Sequence, residues 1–206
     1  MLTSEVAHRV KNNLQVVASL IANEIRLTPA PWVQGYRALQ DRILAIAQLY
    51  DLMSQSSRHG TVALDAYLAE IAKTLSASLL GGTSGIRIAV EAEALRIDPD
   101  RAVPFGLLVN ELSTNAVKHA FPDGIGLVTL ALRRIGNEIE LRVTDDGIGM
   151  APQGQGSTPG KHGSDYVAIF VRQLRGALVR SAAPGVGTTV SIHFPTSPDP
   201  ETSPSH

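Results

Sequence analysis

The stretch NELSTNAVKHAFP, residues 110–122, decides how the rest of the chain is read. At about 100° per residue, Glu111, Asn115 and Lys118 fall within an arc of about 60° on a helix, with His119 about another 40° round. They form a polar stripe beside Leu108 and Leu112. An asparagine can give Mg²⁺ its carboxamide oxygen while triphosphate oxygens and waters fill the octahedron, and a lysine one turn on neutralises phosphate charge. A solvated helix face would carry the same residues, so the flanking sequence has to discriminate.

Upstream, Asp98-Pro99 is a cap and first-turn signal for a helix running to about Ala120. Pro104 removes a donor in its second turn, so the helix kinks there or its regular part begins later. Before it, a short strand leads into a helix over 65–79, and alternating Ile86, Ile88 and Val90 read as another strand. Downstream, LVTLALRR (127–134) and IELRVTD (139–145) flank IGNE as a hairpin. The second run sorts Ile139, Leu141 and Val143 to one face and Glu140, Arg142 and Thr144 to the other.

DDGIGM (145–150) follows directly, with Asp145-x-Gly147-x-Gly149 as its skeleton. Glycines permit a tight turn and close backbone approach, and a carboxylate there can accept a hydrogen bond from an exocyclic amine such as adenine's. Asp-Gly pairs are common in turns; the position about thirty residues after the asparagine-bearing helix is what makes this one specific. GQGSTPGKHGSD (154–165) is Gly-rich and precedes a helix over 163–175, either as a lid whose backbone donors meet phosphates or as a plain loop. ALVRS and TTVSIHF close the region as a hairpin around AAPGVG. P-loop and dinucleotide-binding fingerprints are absent.

At the other end, EVAHRVKNNLQVV (5–17) opens a helix from Ser4 to about Arg26 whose apolar stripe is Val6, Val10, Leu14, Val17, Ile21 and Ile25. TPAPW breaks it with two prolines, and Leu39, Ile43, Ile46, Leu49 and Met53 mark a second helix. Such a hairpin cannot enclose its own stripe, so it is expected to pair as a four-helix bundle in a C2 dimer. The polar SQSSRHG (54–60) places the expected domain limits at 1–57 and 61–195, with 196–206 a disordered tail.

His8 lies roughly 200° from Val6 and 160° from Val10, opposite the stripe and therefore facing water. A solvated histidine is one reading. A metal ligand is a poorer one, because Glu5 is its only companion at ligand spacing. Chemistry is the third, since Asn12 stands one turn ahead, Glu5 one turn behind, and Arg9 and Lys11 supply charge that attracts a phosphoryl group. An accessible imidazole with one unprotonated nitrogen is a competent phosphoryl nucleophile.

Composition narrows the classes. Eighteen Lys+Arg against nineteen Asp+Glu give a net charge of −1, and aromatic residues are 4%. No field recruits nucleic acid, and no stacking platform serves a single strand. The lack of cysteine excludes disulfides and thiolate chemistry and fits a reducing cytoplasm. No apolar run is long enough for a bilayer span, so direct membrane insertion is not expected.

The order HRVKNNLQVV, NELSTNAVKHAF, DDGIGM, a Gly-rich segment and GTTVSIHFP resembles the sensor histidine kinases, with H-box, N-box, G1 box and G2 region on a GHKL-type ATP-binding domain. Within them it is similar to the HWE group and, more closely, to the second HisKA-type subfamily, because VTD (143–145) replaces the Trp-x-Glu of the HWE group. The resemblance implies an α/β chain: a helical hairpin forming a dimeric bundle, then a two-layer sandwich. It implies ATP and Mg²⁺, with His8 as phosphoacceptor, Asn115 as metal ligand and Asp145 as the adenine-recognising carboxylate. Lys118 and His119 become phosphate neighbours, Gly147 and Gly149 turn-formers, and Thr188 a residue beside the adenine-linked water. Glu111 matches the N-box acid.

Two departures stand out. Arg9 follows the histidine where the main family has an acid, which leaves Glu5 or Glu111 as the base. The G-x-G-L of the G2 box is missing, with Lys161 and Gly163 where two glycines are expected and Gly160 nearby. The implied function is autophosphorylation of His8 and transfer to a response-regulator receiver domain. The alternatives are a histidine phosphotransfer protein with a non-catalytic ATPase-like domain and, less well matched, a GHKL serine kinase.

Overall fold

The computed structural model describes residues 4–58, 60–80, 85–149, 162–183 and 185–196. Helix α1, Ser4–Leu27, and helix α2, Ala30–Ser56, form the hairpin. Thr28 and Pro29 alone make the break. Pro31 lies in the first turn of α2, where a missing N–H costs nothing, so the second proline starts a helix rather than ending one.

The hairpin seam differs from the expected stripe. Val10, Lys11, Leu14, Ala18, Ile21, Ala22 and Ile25 are the half-buried and buried positions among the described side chains, so the stripe holds at Val10, Leu14, Ile21 and Ile25 and shifts to Ala18 in place of Val17. Val17 is largely exposed, with Val16 at 61% and Leu20 at 66% beside it. On α2, Trp32, Tyr36 and Leu39 are also exposed, so the hairpin carries a second apolar face outside its seam. Gln40 Nε2 donates to the Ala18 carbonyl at 3.2 Å, and Lys11 Nζ meets Asp51 Oδ2 at 2.6 Å.

The end of α2 does not belong to the seam alone. Leu49 and Met53 are buried in the same core as Tyr67 and Phe105. Backbone continues the attachment: β1, Ser57–Arg58, pairs antiparallel with β2, Thr61–Ala63, which pairs with β4, Arg96–Ile97. The polar stretch read as a domain boundary is thus partly helix, to Ser56, and partly strand, Ser57–Arg58. Arg96 Nε donates to Thr61 Oγ1 at 2.6 Å and braces it.

The larger sheet is built from β3 (Gly85–Ala92), β5 (Ile125–Ile135), β6 (Glu138–Asp145), β7 (Ala177–Ala183) and β8 (Gly187–Pro195), in the order β3-β5-β6-β8-β7. Only β3 runs parallel to its neighbour. Val128, Leu130 and Leu132, Ile139, Leu141 and Val143, and Val190, Ile192 and Phe194 are buried at alternate positions, as a pleated sheet with one core face requires. Helices α3 (Leu64–Leu80), α4 (Pro99–His119) and α5 (His162–Gln173) share that core. The result is the expected two-layer arrangement. Helix α4 begins at Pro99 despite Pro104, and Asp98 caps it by extended backbone geometry without a side-chain bond.

The outer sheet face carries one departure. Glu140, sorted by the sequence to the polar face of the strand, is only 4% exposed. Arg142 Nη2 donates to its Oε1 at 2.8 Å, and His193, opposite it in the β6–β8 register, brings Nε2 to 3.7 Å. Burial alone would raise the Glu140 pKa; the Arg142 hydrogen bond and charge, Ser191 and His193 outweigh it and hold the carboxyl below its ordinary value. Thr196, placed in the tail by composition, donates its N–H to the Asn137 carbonyl at 3.1 Å and so tethers the chain to the β5–β6 turn. Residues 197–206 lie outside the described part.

Candidate functional site

Helix α4 is fixed at both ends. At its start Arg101 Nη2 donates to the carbonyls of Pro195, at 2.7 Å, and Leu174, at 3.3 Å, while its guanidinium lies 5.3 Å from the Phe194 ring centre. Burial lowers the Arg101 pKa against the charge of Asp98. In its middle Gly106 permits close packing: a Cβ there would stand 2.6 Å from both Leu49 Cδ2 and the Tyr67 hydroxyl. Its first half is buried nearly all round, with Ala102, Phe105, Leu107, Leu108 and Val109; in its second half Leu112, Ser113 and Ala116 are buried and the opposite side is left for polar groups. Glu111 and Asn115 are half-buried there, and Lys118 and His119 are exposed in the last turn.

The loop after β6 docks onto the end of this helix. Ile148 N–H donates to the Ala120 carbonyl at 2.9 Å, and Gly147 lies against Ala120 so closely that a Cβ would collide with that oxygen. Asp146 exchanges two bonds with Leu127: its N–H reaches the Leu127 carbonyl at 3.2 Å and its Oδ1 accepts from the Leu127 N–H at 2.7 Å. Gly149 has φ +69 and lies against the Ala183 carbonyl, where a side chain would collide. The loop is therefore held between the α4 end, β5 and the β7–β8 turn.

Asp145 is the centre of this clasp. It is 6% exposed, and its Oδ1 accepts the N–H groups of Gly147 and Thr188, each at 3.2 Å. Oδ2 has no donor among the described residues, so one carboxylate oxygen organises the loop and the other is free to accept. Thr188 stands directly opposite Asp145 in the β6–β8 ladder. Gly187 was not singled out by the sequence reading. Its φ is +96 and its α-carbon lies against the Asp145 carbonyl, so no side chain fits. A glycine opening a strand is the signal that could have found it, since such a residue marks close backbone approach.

His8 and Glu5 lie in the first two turns of α1; their side chains are outside the described part. Lys11, expected to offer charge to a phosphoryl group, is instead bound to Asp51. Gly163 falls in the first turn of α5, and Gly160, with the rest of the Gly-rich segment up to residue 161, lies outside the described residues. Among the described residues no cluster of three acidic, histidine or cysteine side chains could hold a metal on its own. A cation here would depend on phosphate oxygens and a single protein donor, which suits Mg²⁺. The half-buried Asn115 carboxamide, a neutral oxygen donor, fits that requirement.

Comparisons with known proteins agree in both halves. A family model described as histidine kinase, of the second HisKA type, matches residues 5–79. One described as histidine kinase-, DNA gyrase B- and HSP90-like ATPase matches residues 100–198. Blue-light-activated histidine kinase 2 of Erythrobacter litoralis is 33% identical over 94% of this chain and 57% of its own length. Sensor histidine kinase PdtaS of Mycobacterium tuberculosis is 34% identical over 73% of this chain and 30% of its own. The chain thus spans little more than half of the first relative and less of the second. The solved Erythrobacter litoralis EL346 blue-light activated histidine kinase superposes with a TM-score of 0.71 at 29% identity, covering 93% of this chain and 59% of that one. No helix among the described residues is long and apolar enough to cross a membrane.

Proposed function

This chain belongs to the histidine kinase family, and we propose that it is the catalytic core of a two-component kinase, cytoplasmic, that phosphorylates its own His8 from ATP and passes the group to an aspartate of a response-regulator receiver domain. The observation that carries the reading is Asp145: a nearly buried carboxylate with one oxygen bound by the Gly147 and Thr188 N–H groups and the other without a donor among the described residues, in a clasp whose glycines exclude side chains. That arrangement suits a purine exocyclic amine, with the Thr188 backbone beside it. Lys118 and His119, exposed at the end of α4, suit the phosphates. Asn115 would hold Mg²⁺, which would offset the charge of the triphosphate.

In the transfer step, the lone pair of the unprotonated His8 nitrogen attacks the γ-phosphorus and the bond to the bridging oxygen of ADP breaks. The proton on the other ring nitrogen leaves to a carboxylate, for which Glu5 and Glu111 are the candidates. The exposed apolar face of Val16, Leu20, Trp32 and Leu39 supports a homodimer through the hairpin, with the bundle as the regulator's docking surface.

The test is incubation of the purified chain with γ-labelled ATP and Mg²⁺, beside His8→Ala and Asn115→Ala. Acid-labile, base-stable label on the parent, lost from both variants, is expected. A chain that takes no label from ATP but accepts it from a phosphorylated regulator would instead be a phosphotransfer protein, and acid-stable label would mark a serine kinase.

A further inference from the structure

The kinase reading leaves one charged contact unexplained. Lys11 occupies a seam position of α1, in step with Leu14, Ala18, Ile21 and Ile25, where an apolar residue would pack better. Asp51 meets it from α2, forty residues away in sequence, at 2.6 Å, with both side chains only about a quarter exposed: 29% and 26%. The two-residue break at Thr28 and Pro29 and the Gln40 bond to the Ala18 carbonyl hold the far part of the hairpin, but small and aliphatic seam residues alone would let the open end, which carries His8, shift at little cost. A charged pair there resists the shift, because a change of register would separate Lys11 from Asp51 while both are part-buried.

The position of Asp51 adds a second property. Leu49 and Met53, two residues to either side, project from α2 roughly opposite to Asp51 at 100° per residue, and both are buried in the core of the ATPase domain. The turn of α2 that receives Lys11 is therefore the turn that is built into that domain. Gly106 lets Leu49 approach α4 closely, and α4 carries Glu111 and Asn115. His8 stands three residues before Lys11, about 4.5 Å along the helix axis at 1.5 Å per residue. One ion pair thus sets the height of the acceptor residue on a helix whose partner is anchored beside the N-box helix.

We propose that Lys11 and Asp51 are positioning residues that fix the register of the acceptor helix against the ATPase domain, and that Lys11 acts through Asp51 rather than by touching phosphate. The proposal rests on the kinase reading for its rate readout but not for its structural one.

The experiment compares the parent, Lys11→Glu, Asp51→Lys and the double exchange. Rates of His8 labelling at saturating ATP are measured together with ATP affinity and with urea unfolding. Each single variant should lose ten-fold or more in rate with ATP affinity within two-fold of the parent, and the double exchange should recover to within three-fold. An exchange that stays as slow as Lys11→Glu while ATP affinity and unfolding are unchanged overturns the proposal, since lysine is then needed at 11 itself. Unchanged rates in the single variants overturn it too. If the parent takes no label, the kinase reading has failed. The pair is then judged by unfolding alone: non-additive midpoints across the four proteins support the register contact, and additive ones overturn it.

Discussion

Between Val62 and Phe194 most apolar side chains close on one core, completed by Leu49 and Met53 of α2, although Ile125, Val179 and Val186 stay exposed, whereas from Ser4 to Gln48 Val16, Leu20, Trp32 and Leu39 stand bare beside a single seam. The first region has a sheet, three helices and the end of α2 around one continuous core. The second has two helices and a single seam. The difference teaches where stability comes from: the ATPase core is completed by the end of α2, and the rest of the hairpin leans on that domain at one end and, in the proposed dimer, on a second copy along its side.

The comparison breaks most readily at Phe105, fully buried between Tyr67 and Phe194 at ring-centre distances of 6.3 and 6.2 Å. Phe105→Ala is expected to cost about 3–5 kcal/mol, read as a lower urea midpoint with loss of ATP binding. Leu20→Glu should act in the opposite way. Burial of a leucine contributes about 1.5–3 kcal/mol, so light scattering should report a dimer weakened at least ten-fold while the midpoint of the ATPase domain stays put. A shared fall of both would mean that the two regions are one unit.

Gly187→Ala sharpens the division within the ATPase domain. Its positive φ and the adjacent Asp145 carbonyl make strain of about 1–3 kcal/mol, and nucleotide affinity should fall with little change in dimerisation. The smallest effect concerns acid. The Glu140 carboxyl is held below its ordinary value of 4.5, so its contribution is complete above that pH and is lost as pH falls through the lower folded value. Thermal unfolding of Glu140→Gln should therefore depend less on pH below about 4.5, with dimerisation unaffected at neutral pH.

Much of this was legible in the residues. Helix α4 and its polar stripe, the β5–β6 hairpin and the Asp145 loop each carry a local signal: periodicity of 3.6, periodicity of 2, and glycines at a turn. What stayed hidden depends on contacts distant in sequence. Leu49 and Met53 repeat at the spacing of a bundle stripe, and nothing in that spacing tells a bundle from a neighbouring core. Lys11 read as a free charge because its partner is forty residues away. Glu140 alternates with buried residues as a solvated strand residue would, yet Arg142 on the same face and His193 on the next strand cover it. Val17 was misplaced in favour of Ala18 because a small residue contributes little to an apolar pattern while allowing the closest helix approach.

The burial of Leu49 and Met53 also bears on how such proteins are recombined. A chimaera that joined this hairpin to a foreign ATPase domain at the composition change near residue 57 would carry two side chains shaped for a cavity the new host lacks. A graft made upstream of Leu49 keeps plug and socket from one parent, and such fusions should express where the later junction yields aggregates.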